Sequence, residues 1–406
     1  MKTVLISGAG IAGPTLGFWL KAAGLEPTLI ERAPALRSGG YVIDFWGLGY
    51  DIAERMGLTA EINRVGYKVQ ELRIVNDCGR RVAGFGTGLF TELTGGRYVT
   101  LPRSELSRLL FEKVRDGVDV IFDEEIVALE EQSDGVRVQL MHSGERQFDL
   151  VIGADGLHST VRELAFGPRR FEKDLGYIVA AFEVSGYRPR DEDVYLMYGQ
   201  PGRMVGRFTL RDDRALFLFV FAADGDPWPS TLDQQKAILH GKYAAGRWEC
   251  PLILAELDRA TELYFDRVSQ IRMSNWSRGR IALIGDAAFC VSLLAGQGSA
   301  LAMISAYVLA GELVAAGGRY QQAFSNYEAR LRPFIETKQR GAERFAGAFA
   351  PRTAWGLSFR NQVIKAFAIP GLAKLAVGKE IIDNLPLPEY DLPLLKRTTP
   401  VCTKDR

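Results

Sequence analysis

The sequence predicts an α/β fold: a Rossmann-like parallel sheet, an inserted antiparallel sheet and a helical C-terminal segment. Three observations predict it. A strand, a glycine turn, a helix and a second strand follow one another within the first 32 residues. Two later apolar runs, at 148–155 and 280–286, each end in glycine and aspartate, as buried parallel strands ending at a ligand crevice do. Between residues 176 and 272 the pattern changes to alternating strands and polar turns, which read as antiparallel hairpins.

Composition narrows the function. The 406 residues exceed one ordinary core and suit two closely packed domains. Lys plus Arg number 50 and Asp plus Glu 49, a net charge of +1, so no bulk field gathers nucleic acid or an acidic membrane. Cys78, Cys250, Cys290 and Cys402 form no C-x-x-C pair, which points to a reducing compartment. His142, His158 and His240 are too far apart in sequence for metal-ligand spacing, so no metal is expected. The run 300–316 is interrupted by Ser305, Gly311 and Glu312 and reads as a buried helix rather than a membrane span. A cytoplasmic protein, monomer or homodimer, is the expectation.

Residues 3–7 form a continuous β-prone run, followed by Gly8-Ala9-Gly10-Ile11-Ala12-Gly13 and a helical stretch from Pro14 to Ala23. A second strand over 27–30 ends at Glu31-Arg32. Gly8 suits a tight turn, Gly10 a close approach of backbone to pyrophosphate, and Gly13 close packing of helix on strand. The helix start offers free N–H groups and a positive dipole end to phosphates. Glu31, eighteen residues after Gly13, is placed to accept hydrogen bonds from ribose hydroxyls. The unit predicts a bound dinucleotide; by itself it does not separate NAD from FAD.

Two later motifs narrow that choice. Asp155, Gly156, Ser159 and Arg162 match D-G-x-x-S-x-x-R, and Gly285, Asp286, Ala287, Ala288, Gly296, Gln297 and Gly298 match most of G-D-A-A-H…P…G-Q-G. With the first motif, these make the chain resemble the FAD-dependent aromatic hydroxylases, the group A flavoprotein monooxygenases, most nearly their tetracycline-inactivating branch. The resemblance spans nearly the whole chain. It implies that FAD is held by Gly8, Gly10, Ala12, Gly13 and Glu31, with Arg32 near a phosphate or the adenine. It further implies Asp155, Arg103 at a helix start near the flavin, and Asp44 in the stretch passing under it. Gly285, Asp286, Gly296 and Gly298 complete the set. Asp286 at a strand end suits the ribityl hydroxyls, and a helix starting near Gly298 would turn its positive end to reduced flavin.

By the same resemblance NAD(P)H reduces FAD as a transient co-substrate and O2 gives a flavin hydroperoxide that hydroxylates an aromatic or polycyclic small molecule. No second complete G-x-G-x-x-G unit is present to hold the nicotinamide. The chain departs from the family pattern at Phe289 and Leu293, where His and Pro are usual. These changes keep two alternatives open: a flavin-dependent reductase or dehydrogenase acting on a C=C bond, and a non-catalytic FAD-binding protein. Flavin-dependent halogenases lose ground because W-x-W-x-I-P is missing.

The expected boundaries place the FAD-binding domain in residues 1–70, 101–170 and 276–320, and the substrate domain in 71–100 and 171–275. A C-terminal segment over 321–406 follows, helical to about Tyr390 and irregular at Pro386, Pro388 and Pro393. Phe182, Tyr195, Met197, Tyr198, Phe208, Phe217 and Phe219 suit a flat apolar ligand collectively, although sheet packing is the simpler reading for each singly. Trp355, Phe359, Val363 and Phe367 recur every four residues, an apolar stripe expected to pack across both domains, with a membrane- or partner-binding surface as the alternative.

Overall fold

The strand Thr3–Ser7 is apolar at Val4, Leu5 and Ile6 because it lies at the centre of a six-stranded sheet, where both faces are covered. A computed structural model describes residues 2–37, 39–168, 171–225, 228–367, 383 and 385–392, without the side chains of 89 and 344–346. Pro393 and Cys402 lie outside the described residues.

The sheet order is Ser277–Arg278, Ile281–Leu283, Leu150–Gly153, Thr3–Ser7, Glu26–Glu31, Asp119–Phe122. All neighbours are parallel except the first pair. The chain leaves Thr3–Ser7 on one side for Glu26–Glu31 and later returns to its other side with Leu150–Gly153, so a ligand crevice opens at the carboxyl end of the first strand. Helix Ala12–Ala22 follows that crevice, burying Leu16, Trp19 and Leu20. Helix Gly298–Ala315 packs against it and against Gly47–Arg55 and Tyr320–Phe349. By length and hydropathy Gly298–Ala315 could cross a membrane, but 78 % of it is buried inside the protein, as a helix apolar on all sides of a core must be.

The second sheet has seven strands in the order Tyr264–Ile271, Glu172–Ser185, Arg214–Ala222, Arg203–Thr209, Val194–Gln200, Glu71–Val75, Arg81–Gly86. Only the Val194–Gln200 and Glu71–Val75 pair is parallel. One face is covered by two helices that the hairpin reading missed, Leu232–Tyr243 and Cys250–Arg259. The other face turns towards the first domain. A two-stranded ribbon, Val42–Trp46 with Tyr98–Pro102, stands at the seam between them.

Period-two alternation decides the roles of the aromatic residues. Phe182, Tyr198, Phe217 and Phe219 fall on the helix-covered face and are core. Tyr195, Met197 and Phe208 fall on the inner face, where Tyr195 and Phe208 pair across strands with ring centroids 4.7 Å apart.

The C-terminal stripe corrects an expectation. Trp355, Phe359 and Val363 on helix Ala354–Ala366 are 76, 58 and 37 % exposed, with Trp355 and Phe359 stacked at 5.5 Å. The helix meets the seven-stranded sheet through another face, burying Arg360, so the four-residue repeat marks its outer side. Phe367 does pack, edge-on to Phe85 at 6.0 Å. Further along, Tyr390 donates to Glu312 (2.7 Å) and the Pro388 carbonyl accepts from Tyr307 (2.7 Å), fixing the tail to the first domain.

Candidate active site

The glycine turn is shaped by two close approaches. Gly8 has φ +107°, and a β-carbon there would stand 2.6 Å from the Ala154 carbonyl oxygen. One at Gly13 would stand 1.9 Å from the Gly8 carbonyl oxygen and 3.0 Å from Leu29. Helix Ala12–Ala22 begins without a side-chain cap and without an acid in its first turn, so its first N–H groups are free for an anion. Beside Gly10 the nearest side-chain atom is Arg103 Nη2, 3.6 Å from the position a β-carbon would take. Glu31 accepts the Ala9 N–H at 2.8 Å on one oxygen and the Ala33 N–H at 3.0 Å on the other, which orients the carboxylate and leaves each oxygen a second lone pair. Arg32 is exposed and makes no side-chain hydrogen bond or ion pair among the described residues.

The third motif closes the other end of the crevice. The Gly285 N–H donates to Ser305 Oγ at 3.1 Å, and Ala12 lies within 3.3 Å of a β-carbon placed on Gly285. Asp286 follows, with Oδ1 3.7 Å from the β-position of Gly298, the first residue of the long helix. That helix also lacks a side-chain cap, so free N–H groups face the same place. Gly296 takes a left-handed conformation (φ +67°) that ends the short turn Leu293–Ala295 and leads into it.

Burial raises the Asp286 carboxyl above the usual carboxylate range, against the pull of Arg103 and of a hydrogen bond with Cys290. Burial likewise lifts the Tyr41 phenol to about 12, with Arg103 opposing and Asp286 reinforcing the shift. Tyr41, Arg103 and Asp286 therefore share one electrostatic site. Tyr41 also accepts the Arg103 backbone N–H on its carbonyl at 3.0 Å and packs edge-on to Tyr264 at 5.3 Å. Sequence reasoning missed Tyr41 as a site residue and had no signal for Tyr264.

The second motif braces the first and third. Asp155 spends both oxygens within its own loop, on Ser159 Oγ (2.5 Å) and the Val161 N–H (3.0 Å). Ser159 caps helix Thr160–Phe166, and Arg162 on that helix donates to the carbonyls of Leu157 (2.7 Å) and Ala287 (3.0 Å). Arg162→Met is expected to strand both carbonyls and to cost about 3–6 kcal/mol, since hydrogen bonds to charged groups each contribute about 1.5–3 kcal/mol. Urea unfolding of the cofactor-free protein checks this; an unchanged midpoint would show that the brace is idle.

The two departures from the family pattern occupy different places. Phe289 is buried against Trp276, ring centroids 4.6 Å apart, and its side chain belongs to the core of the first domain. Leu293 packs against the inner face of the seven-stranded sheet among Met197, Leu218 and Tyr264, as part of an apolar wall. Asp44 takes its partners from the ribbon and the sheet. Its Oδ1 accepts from Tyr98 (2.8 Å), Thr100 (2.5 Å) and Tyr195 (3.3 Å), and neither Arg103 nor Asp286 figures in its electrostatics. Of the predicted set, the structure thus gathers Gly8, Gly10, Ala12, Gly13, Glu31, Arg103, Gly285, Asp286 and Gly298 around one crevice. Asp155 stands behind it and Asp44 at its far side.

These residues fit FAD. A turn sealed by glycines, uncapped helix starts at both ends and a half-buried carboxylate beside the second start are the donor set that a diphosphate, a polyol and a flat ring require. The family described as FAD binding domain matches residues 1–341. The chain belongs to this family. It is a flavoprotein of the aromatic-hydroxylase type, related in sequence to flavin-dependent monooxygenases. A flavin-dependent monooxygenase of Legionella longbeachae is 31 % identical over 403 residues, covering 96 % of this chain and 98 % of the relative. An uncharacterized protein of Mycobacterium tuberculosis is 39 % identical over 351 residues, 84 % of this chain and 92 % of the relative. The crystal structure of the tetracycline destructase Tet(51) superposes with a TM-score of 0.82 at 29 % identity, covering 96 % of this chain and all of that one.

Proposed function

We propose that this flavoprotein hydroxylates an aromatic or polycyclic small molecule, using NAD(P)H and O2. The observation that carries the reading is the apolar inner face of the second sheet (Met197, Phe208, Leu218), with Leu293 packed against it and Tyr264 meeting Tyr41 of the Arg103–Asp286 site. Bound FAD would supply the redox chemistry, accepting a hydride from the nicotinamide and activating O2. The chain's own residues do the rest. The Gly8–Gly13 turn and the start of helix Ala12–Ala22 hold the diphosphate, with Glu31 on the adenosine ribose and Arg32 at the outer edge. Asp286 would hold the ribityl hydroxyls, and the uncapped start of helix Gly298–Ala315 would favour negative charge on the ring. The wall containing Met197, Leu218 and Leu293 excludes water, which protects activated oxygen from being wasted. Nicotinamide binding would be transient and the protein cytoplasmic, as a monomer or homodimer.

The test is NADH and NADPH oxidation by the FAD-loaded protein across a panel of fused aromatic compounds. Several-fold stimulation by a compound that gains one oxygen atom is expected. Oxidation indifferent to every compound, with none oxygenated, would refute the proposal.

A further inference from the structure

We propose that Asp44 is the substrate-recognition group of this site, its second carboxylate oxygen accepting a hydrogen bond from a hydroxyl on the aromatic ligand, a phenol or an enol. The inference rests on the hydroxylase reading for its ligand class and on the following geometry for its place.

On the ribbon, Val42, Asp44 and Trp46 alternate with Ile43 and Phe45, which are buried in the core of the first domain. Asp44 is paired with Thr100, and Tyr98 stands one same-face step away. Tyr195 reaches the same oxygen from the inner face of the seven-stranded sheet. Three hydroxyls from two layers therefore converge on Oδ1. Oδ2 has no hydrogen-bond partner among the described residues and is not sealed in by them.

Of the two Asp44 oxygens one is saturated and the other is left bare. Among the described residues, the groups facing Asp44 are the hydroxyls of Tyr98, Thr100 and Tyr195, with no guanidinium or ammonium beside them. While Asp44 is ionised its carboxylate has no proton to give, so the free position only accepts. Its ligand must bring a donor, and an anionic substituent is rejected. Asp44 lies three residues from Tyr41, about 10 Å along an extended chain, and Tyr41 belongs to the Arg103–Asp286 site. Two or three fused rings span that distance. Burial also raises the Asp44 carboxyl above the usual carboxylate range, the three hydroxyls opposing, so its ability to accept is lost at a higher pH than for an exposed aspartate.

The experiment titrates the FAD-loaded protein with 2-naphthol and with 2-methoxynaphthalene, following the flavin visible band. The wild type is expected to prefer the naphthol by about tenfold or more, the worth of one hydrogen bond to a charged group. That preference should vanish on acidification, with a midpoint above the ordinary carboxylate range. In Asp44→Asn the amide N–H bonds a phenol or an ether oxygen alike, so the ratio should fall to near one. Tyr195→Phe keeps the preference but moves the acid midpoint upward, because one donor to the anion is gone; this readout survives if Asp44→Asn does not fold. Equal binding of the two compounds by the wild type, binding of neither, or a preference retained in Asp44→Asn would overturn the inference. Oxygenation of a substrate without the phenol preference would sink only this inference. The phenol preference without any oxygenation would sink only the hydroxylase reading.

Discussion

Gly13→Val is expected to give a colourless protein. The β-carbon alone would stand 1.9 Å from the Gly8 carbonyl oxygen and 3.0 Å from Leu29, so helix Ala12–Ala22 must move away from the sheet to admit it. Overpacking of this kind typically costs about 1–3 kcal/mol of stability. The greater loss is functional, because the shift carries the uncapped helix start away from the turn whose N–H groups complete the anion site. Gly241→Ala, in helix Leu232–Tyr243 with nothing within 4 Å of the new carbon, serves as the control and should retain FAD with unchanged or slightly raised stability. Visible absorption of the purified variants decides the matter. A yellow Gly13→Val protein with normal FAD content would mean that the glycine turn does not hold the cofactor.

Asp286→Ala carries the second large effect: FAD affinity is expected to fall about 10- to 150-fold, equivalent to the roughly 1.5–3 kcal/mol of a charge-assisted hydrogen bond. Its carboxylate is half-buried beside the start of helix Gly298–Ala315, and Arg103 is the charge opposing its desolvation. Desolvation is what gives such a group its strength towards a ligand hydroxyl. Asp286→Asn keeps one acceptor and should lose less. Equilibrium quenching of FAD fluorescence measures both variants; an alanine variant binding as tightly as the wild type would remove Asp286 from the cofactor site.

Much of this was legible in the sequence wherever a backbone constraint leaves a mark on residue type. Gly8 and Gly13 announce themselves because no β-carbon fits, and the strands around them because burial on both faces makes their middles apolar. Asp286 and Gly298 were readable for the same reason, as an acid and a glycine bracketing a strand end and a helix start. What failed to show is what depends on the packing of distant segments. Tyr41, Tyr264 and the Asp44 cluster are assembled from three layers, and no local period marks a hydroxyl that points across a seam. The six aromatics and Met197 singled out together were sorted only by strand register, which put four in the helix-covered core. The outward stripe of helix Ala354–Ala366 shows the converse hazard: a four-residue apolar repeat identifies a face without saying what covers it. Helices Leu232–Tyr243 and Cys250–Arg259 were passed over because the strands around them dominated the pattern.

The most direct test of the central claim is isotopic. The FAD-loaded protein, NAD(P)H and the best aromatic substrate are incubated under isotopically heavy O2, and the product is weighed by mass spectrometry. The account predicts one heavy oxygen atom in the product and equimolar consumption of NAD(P)H. A product carrying oxygen from water, or a reduced product with no new oxygen, would contradict it.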